Sequence, residues 1–408
     1  MLMKTSAYKR TAKLTRLGLL QLDSGETEKA VDTFASVLAI DPSNSDAHYN
    51  LALALEKVGK VDEAIQEYNE ALDDAPTFVD AHIQLGNLLD DSGQFDRALY
   101  HYDRAVEANP LATAARYNRG LLYIKMQQFD AALSELHRAA EIDPRDADIY
   151  RALASAFGEI KDFENEIVML RKALAIAPDD EDAWVQLGLA LLYDGGQAKE
   201  AIDALCQAKG LCPQDVDAWY HLGAAYSRTE DYPQAIEAYE IALKLNPRSA
   251  NTSYNMGLLY ITLEDYGRAI DAFRTVIDIR PSDAEAHLDL GIALDYSGRS
   301  EEALAEVRKA LKENPDLARA HNSLGVILAT LDRREDAVIA YRESLRLRPD
   351  KAATHYNLAN SLEVLGDLEA ARQEMETAAA LGDEDAQEYL DSLLPATPAA
   401  YGGGSDAG

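Results

Sequence analysis

Prolines recur along this chain on a fixed step. Pro42, Pro76, Pro110, Pro144 and Pro178 lie 34 residues apart, Pro213 follows after 35, and Pro247, Pro281, Pro315 and Pro349 return to 34. Self-similarity at this period means a stack of one supersecondary unit, in which each copy buries its apolar face against its neighbours. That reading overrides the roughly two to four globular domains that the length alone would imply.

Eleven units follow from this register, starting at residues 11, 45, 79, 113, 147, 181, 216, 250, 284, 318 and 352. The eighth residue of each is Gly or Ala: Gly18, Ala52, Gly86, Gly120, Ala154, Gly188, Gly223, Gly257, Gly291, Gly325 and Ala359. Residues this small let two helices approach to the short end of the ~8–10 Å packing range. Turns such as "SGQ", "VGK" and "SGR" supply a glycine able to end the first helix left-handed. The proline then stops the second helix. Each unit therefore reads as a helix–turn–helix hairpin, with a first helix A and a second helix B.

Two irregularities fall in adjacent units. Alanine opens helix B in ten units, whereas the fifth has Glu166 there. The stretch "LLYDGGQAKEA" (191–201) carries Gly195 and Gly196 where "LLDDSGQFDRA" (88–98) has one glycine, and this accounts for the 35-residue step. An unpaired carboxylate beside a lengthened turn predicts a flexible joint at Glu166, Gly195 and Gly196.

The units resemble the tetratricopeptide repeat. The family pattern W-x2-L-G-x2-Y, A-x3-F, P is matched almost fully in the seventh unit, by Trp219, Leu222, Gly223, Tyr226, Ala235, Tyr239 and Pro247. His48, His82, Tyr150, His287, His321 and His355 replace the Trp elsewhere. The resemblance covers about residues 11–383 and implies an all-α, right-handed solenoid superhelix. "EDAQEYLDSLL" (384–394) is expected to cap the last hairpin, and 395–408 to form a disordered tail.

Charge is unevenly placed. The chain has a net charge of −32, yet its first 22 residues hold Lys4, Lys9, Arg10, Lys13 and Arg16 and no acid. Residues 1–10 read as a basic extension, and Lys4, Lys9 and Arg10 could dock head-to-tail on a neighbouring chain. The acidic balance disfavours nucleic acid. No apolar run reaches the ~18 residues of a membrane span, and no secretory signal opens the chain. Cys206 and Cys212 make no disulfide scaffold or zinc motif, which favours a cytoplasmic setting.

No catalytic or nucleotide-binding motif is present, and no cofactor is implied. The five histidines at the fourth position form a column, but copies about 10 Å apart cannot share one metal ion. No metal site is expected. The informative surface is the inner A-helix face, which the resemblance assigns to positions 2, 5, 6, 9, 12 and 13 and describes as a concave groove. Positions 5 and 6 read Tyr-Asn in four units: Tyr49–Asn50, Tyr117–Asn118, Tyr254–Asn255 and Tyr356–Asn357. Gln84, Gln186 and Tyr220–His221 occupy the equivalent places in others. Amides can bond an extended peptide backbone without reading its side chains, and the groove of the O-linked N-acetylglucosamine transferase repeats looks similar.

Position 2 is acidic in six units, through Asp46, Asp80, Asp148, Asp182, Asp217 and Glu285. Acids in a first helical turn stabilise the helix by themselves, and an acidic rim favours a cationic ligand. The Lys and Arg clamp by which some members of the family hold an acidic tail is absent. The expected function is a non-enzymatic scaffold or assembly adaptor binding extended basic segments of partner proteins. The alternative is a regulatory or substrate-recruiting subunit of an enzyme on another chain.

Overall fold

A computed structural model describes residues 2–194 and 196–392, with side chains from Lys9 onward. The expected tail (395–408), Gly195 and the Lys4 side chain lie outside these. The described residues form 23 α-helices and no strand, divided into two compact units, 1–213 and 214–408.

The first unit holds α1 (Leu2–Asp23), α2 (Thr27–Leu38), α3 (Ser45–Val58), α4 (Val61–Asp74), α5 (Val79–Asp91) and α6 (Phe95–Ala108). It continues with α7 (Thr113–Lys125), α8 (Phe129–Ile142), α9 (Ala147–Glu159), α10 (Phe163–Ile176), α11 (Glu181–Tyr193) and α12 (Ala198–Leu211). The second holds α13 (Val216–Arg228), α14 (Tyr232–Leu245), α15 (Ala250–Thr262), α16 (Tyr266–Ile279), α17 (Ala284–Tyr296) and α18 (Ser300–Glu313). It ends with α19 (Ala318–Thr330), α20 (Arg334–Leu347), α21 (Ala352–Val364), α22 (Leu368–Ala380) and α23 (Glu384–Ser392). Odd helices up to α21 are A helices and even ones B helices.

Local chemistry sets the helix boundaries. Asn44, Asp146, Asp180, Asp215, Ser249 and Asp283 cap the A helices that follow them, each side chain accepting from backbone N–H groups of the first turn. The A helix ends in a left-handed residue at position 15. In five units this is glycine, as at Gly59; in five others it is Gln127, Lys161, Glu230, Glu264 or Asp332, with φ between 57° and 61°. The reason is a shared hydrogen-bond pattern. Gly59 N–H reaches the Glu56 carbonyl and Lys60 N–H the Leu55 carbonyl, both at 2.9 Å, and Lys161 and Asp162 repeat this on Gly158 and Phe157.

Position 8 is where A and B touch. A β-carbon added to Gly223 would lie 2.5 Å from the Tyr239 ring, and one on Gly86 or Gly257 would lie 2.6 Å from Tyr102 or Phe273. Tyr239, Tyr102 and Phe273 are buried, so glycine makes room for a bulky B-helix side chain. The helix B alanines are buried too. Glu166 in that series is only partly buried, its carboxylate lying over Gly158. Burial alone raises its pKa to about 7.

The chain ends behave differently from one another. Residues 2–10 belong to α1 without a break, so the basic segment is helical, with Lys9 and Arg10 exposed. At the other end α23 buries Ala386 and packs Leu390 and Tyr389 on the last hairpin, with Tyr389 donating to Glu363 at 2.8 Å.

Candidate interaction face

Helical geometry places positions 2, 5, 6, 9, 12 and 13 on one side of each A helix and positions 4, 7 and 11 on the other. The residues expected on the first side are all partly exposed: Tyr49, Asn50, Gln84, Tyr117, Asn118 and Gln186 in the first unit, and Tyr220, His221, Tyr254, Asn255, Tyr356 and Asn357 in the second. The tyrosines use part of their rings for packing. Tyr49 lies 5.0 Å from Phe78 and 5.9 Å from Tyr68, and Tyr254 meets Phe273 edge-on at 5.7 Å.

The amides are partly engaged within the array. Asn118 Nδ2 donates to Asn87 Oδ1 at 2.7 Å, bridging α7 to α5, and Asn255 Nδ2 donates to Tyr220 Oη at 3.0 Å, bridging α15 to α13. Asn50 turns back to the Asp46 carbonyl at 2.6 Å. Gln186 and Asn357 make no side-chain hydrogen bond among the described residues. A primary amide carries two N–H donors and a carbonyl acceptor, so Asn118 keeps a donor and an acceptor, while Asn255, which also bonds Tyr239, keeps its acceptor.

Sequence reasoning missed the strongest polar group of this face. Asp289, at position 6 of its unit, is 2% exposed; Tyr254 Oη donates to it at 2.5 Å and Arg319 at 3.0 Å. Arg319 also pairs with Glu285 at 2.8 Å. Burial, together with the bond to Asp289, pushes the Tyr254 hydroxyl pKa up, so it remains a donor. The only signal was Asp where other units carry an amide, with Arg at position 2 of the next unit.

The acidic rim divides the same way. Asp148 and Asp182 lie 3.6 and 3.8 Å from Arg151, and Glu285 is held by Arg319. Asp46, Asp80 and Asp217 are exposed and have no ion pair among the described residues.

The histidine column is a loop clamp on the opposite side. Nε2 of His48, His82, His287, His321 and His355 meets the carbonyl of the proline six residues earlier at 2.9–3.1 Å. Trp184 Nε1 and Arg116 Nε donate to Pro178 and Pro110 in the same manner, both at 3.0 Å. An N–H donor at position 4 thus clamps the loop in these seven units, whereas Tyr150 reaches Pro144 only at 3.5 Å and Ser253 turns back to Ser249. In four units the same side chain also reaches a glutamate at position 23: His48–Glu67 at 2.6 Å, Arg116–Glu135 at 2.9 Å, His287–Glu306 at 2.8 Å and His355–Glu374 at 2.6 Å. Burial opposes charge on His48, but the Glu67 and Pro42 bonds outweigh it and raise the pKa. Among the described residues no group of three or more His, Cys, Asp or Glu is arranged to hold a metal ion, and no helix is long and apolar enough to cross a membrane.

Known proteins share this architecture. Comparison with curated sequences gives no match. Among solved structures, the Cut9–Hcn1 hetero-tetramer of the APC/C aligns over 96% of this chain and 98% of its own, at 16% identity and a TM-score of 0.50, a likeness of fold. YrrB, a repeat protein described as having an unusual peptide-binding site, aligns over 44% of this chain and 92% of its own at 23% identity and a TM-score of 0.41. MamA from Desulfovibrio magneticus RS-1 covers 42% of this chain and 96% of its own at 23% identity and a TM-score of 0.40. Family models described as tetratricopeptide repeat match residues 15–77, 91–156, 147–180, 222–288, 288–352 and 330–387, and a further repeat model of the family matches 191–230. With the recurring A/B hairpin, these matches establish that the chain belongs to the tetratricopeptide repeat family of protein-interaction scaffolds.

Proposed function

We propose that this chain is a non-catalytic scaffold whose A-helix face binds extended, basic segments of partner proteins. The observation that carries the reading is the arrangement of the amides. Asn118 and Asn255 are each bonded to the preceding A helix, and Asn255 also to Tyr239, which orients them and leaves the carbonyl oxygen of each without a partner among the described residues. A side chain already held in place loses little rotamer freedom on binding a peptide backbone. The flanking tyrosines add rigid contact area, and the exposed Asp46, Asp80 and Asp217 favour lysine and arginine in the ligand.

Affinity purification of partners with wild type and with Asn118→Ala/Asn255→Ala tests this. At about 1 kcal/mol per amide hydrogen bond, the double substitution is expected to weaken binding of an isolated Lys-rich partner segment about thirtyfold. Binding should also weaken with added salt. Unchanged affinity in a variant that keeps its helicity would reject the amide role. Recovery of acid-rich segments that the double substitution abolishes would reject the cationic preference of this face.

A further inference from the structure

Four units pair a cationic or imidazole side chain at position 4 with a glutamate at position 23. The tenth unit keeps the first partner and lacks the second. His321 holds its Nε2 on the Pro315 carbonyl at 2.9 Å, as the other histidines do on their prolines. The position-23 residue that would face its Nδ1 is Ala340. Nδ1 of His321 makes no hydrogen bond among the described residues.

His321 opens on a cleft of about 750 Å³ lined by α18, α19 and α20, the counterpart of smaller clefts beside Trp184, His82 and Ser253. Its charge runs against that of the chain. Arg308, Arg333, Arg342 and Arg346 line it, opposed by Asp336 and Glu343. Those two acids are already taken, Asp336 by Arg333 at 2.6 Å and Glu343 by Arg346 at 2.7 Å. Arg308 and Arg342 are exposed and have no ion pair among the described residues. Two uncompensated guanidinium groups therefore stand beside the open imidazole, on a protein of net charge −32.

The floor of the cleft is apolar. Leu324 and Leu328 form part of it, and Ile339, on its edge, is 68% exposed. A large aliphatic side chain that far into solvent between cations is a ready contact for another apolar side chain. The cleft lies on the side of α19 that carries positions 4, 7 and 11, away from the amide face.

We propose that this cleft is a second binding site, for an acidic peptide segment of a partner protein. One ligand carboxylate takes the place that Glu67, Glu306 and Glu374 fill in other units, pairing with His321 as the imidazolium, whose Nε2 donates to the Pro315 carbonyl and whose Nδ1 donates to the ligand. Neighbouring carboxylates pair with Arg308 and Arg342, and an aliphatic side chain rests on Ile339 and Leu328. Guanidinium forks suit carboxylates bidentately, and such charge-assisted bonds are about twice as strong as neutral ones.

The test is fluorescence anisotropy of a labelled twelve-residue peptide of Glu, Asp and Leu titrated with the full chain. Wild type should bind, more weakly as salt rises. Arg308→Ala/Arg342→Ala should reduce affinity about tenfold or more, because each loses a charge-assisted contact. Ala340→Glu is the deciding variant. Glutamate is accommodated at this position in four other units, so the variant should fold with unchanged helicity, supply the missing carboxylate internally and abolish peptide binding. Binding by Ala340→Glu equal to wild type would overturn the proposal. So would an absence of binding by wild type at low salt, or equal competition by oligothymidylate, which would mark a non-specific anion surface. Asn118→Ala/Asn255→Ala should leave this binding unchanged, so its outcome is independent of the amide face.

Discussion

The imidazoles of His82 and His101 meet Nδ1 to Nδ1 at 3.0 Å, on α5 and α6, at the two positions where four other units set a cation or imidazole against a glutamate. His82 Nε2 also meets the Pro76 carbonyl at 3.1 Å and must carry the hydrogen there. Its Nδ1 then accepts from His101, which requires a neutral His82. Burial is the leading reason that both pKa values fall, that of His101 to about 4 with help from His82 and Arg97.

A pH dependence of stability follows from that pair. In the unfolded chain each histidine titrates near about 6.5. Below that pH the unfolded state takes up protons that the folded pair resists, so the contribution is intact above about 6.5 and is lost as pH falls towards 4. His101→Glu rebuilds the His–Glu pair of the other units and should remove this loss. Denaturant midpoints at pH 7.5 and 5.5 are the measurement. The wild-type midpoint should drop relative to that of the variant between the two, and parallel behaviour would refute the assignment.

Close approach at position 8 sets a second expectation. The Tyr239 ring stands where a methyl on Gly223 would go, at 2.5 Å, and the ring is buried with no slack. Gly223→Ala should cost about 1–3 kcal/mol despite alanine's better helix propensity. At Gly158, near the end of another A helix, the neighbour is the carboxylate end of the partly exposed Glu166 at 3.1 Å, which can turn aside, so Gly158→Ala should cost less. Urea unfolding of the two variants gives the order, and a reversed order would show that the aromatic contact does not limit the approach.

Much of this was legible from the proline step. The A helices after the first begin at Ser45, Val79, Thr113 and so on, where the units counted from that step begin, because a proline punctuates each junction, joined at six of them by a capping side chain such as Asn44. What lay beyond reading were bonds closed across repeats. Tyr254 and Asp289 are 35 residues apart and Asp289 and Arg319 are 30 apart, and no local pattern joins them. The histidines were visible as a column, but their partners were not, since the proline carbonyl becomes a target only after the loop has folded. The left-handed turn was readable at Gly59 and hidden at Glu264, where the hydrogen-bond pattern imposes the conformation on a residue that disfavours it.

That cost at Glu264 can be recovered. The residue holds φ at 57°, and its N–H reaches the Ile261 carbonyl at 3.0 Å, as glycine does elsewhere in the array. The left-handed conformation costs an L residue roughly 1–2 kcal/mol, partly offset by glycine's greater freedom in the unfolded chain. Glu264→Gly should therefore stabilise the protein by about 0.5–1 kcal/mol. Thermal melting with wild type alongside is sufficient, and a fall in Tm would show that the Glu264 side chain contributes more than the turn strain removes.

Glu166 carries the opposite pH sign to His101. Its carboxyl lies over Gly158, has no hydrogen bond or ion pair among the described residues, and is driven by burial to a pKa of about 7. An unfolded glutamate titrates near about 4.3, so the folded state binds the extra proton between these values. Stability from this group is fully present below about 4.3 and is lost as pH rises through 7. Glu166→Gln mimics the protonated form and should leave stability at pH 4.5 nearly unchanged. At pH 8 it should add about 1–2 kcal/mol once the group's partial exposure is discounted. Gly196→Ala serves as a control, since a β-carbon there meets nothing within 4 Å. Denaturation of wild type and both variants at the two pH values decides it. An equal effect of Glu166→Gln at pH 4.5 and pH 8 would mean that the carboxylate is solvated in the folded chain and ionises as it does in the unfolded one.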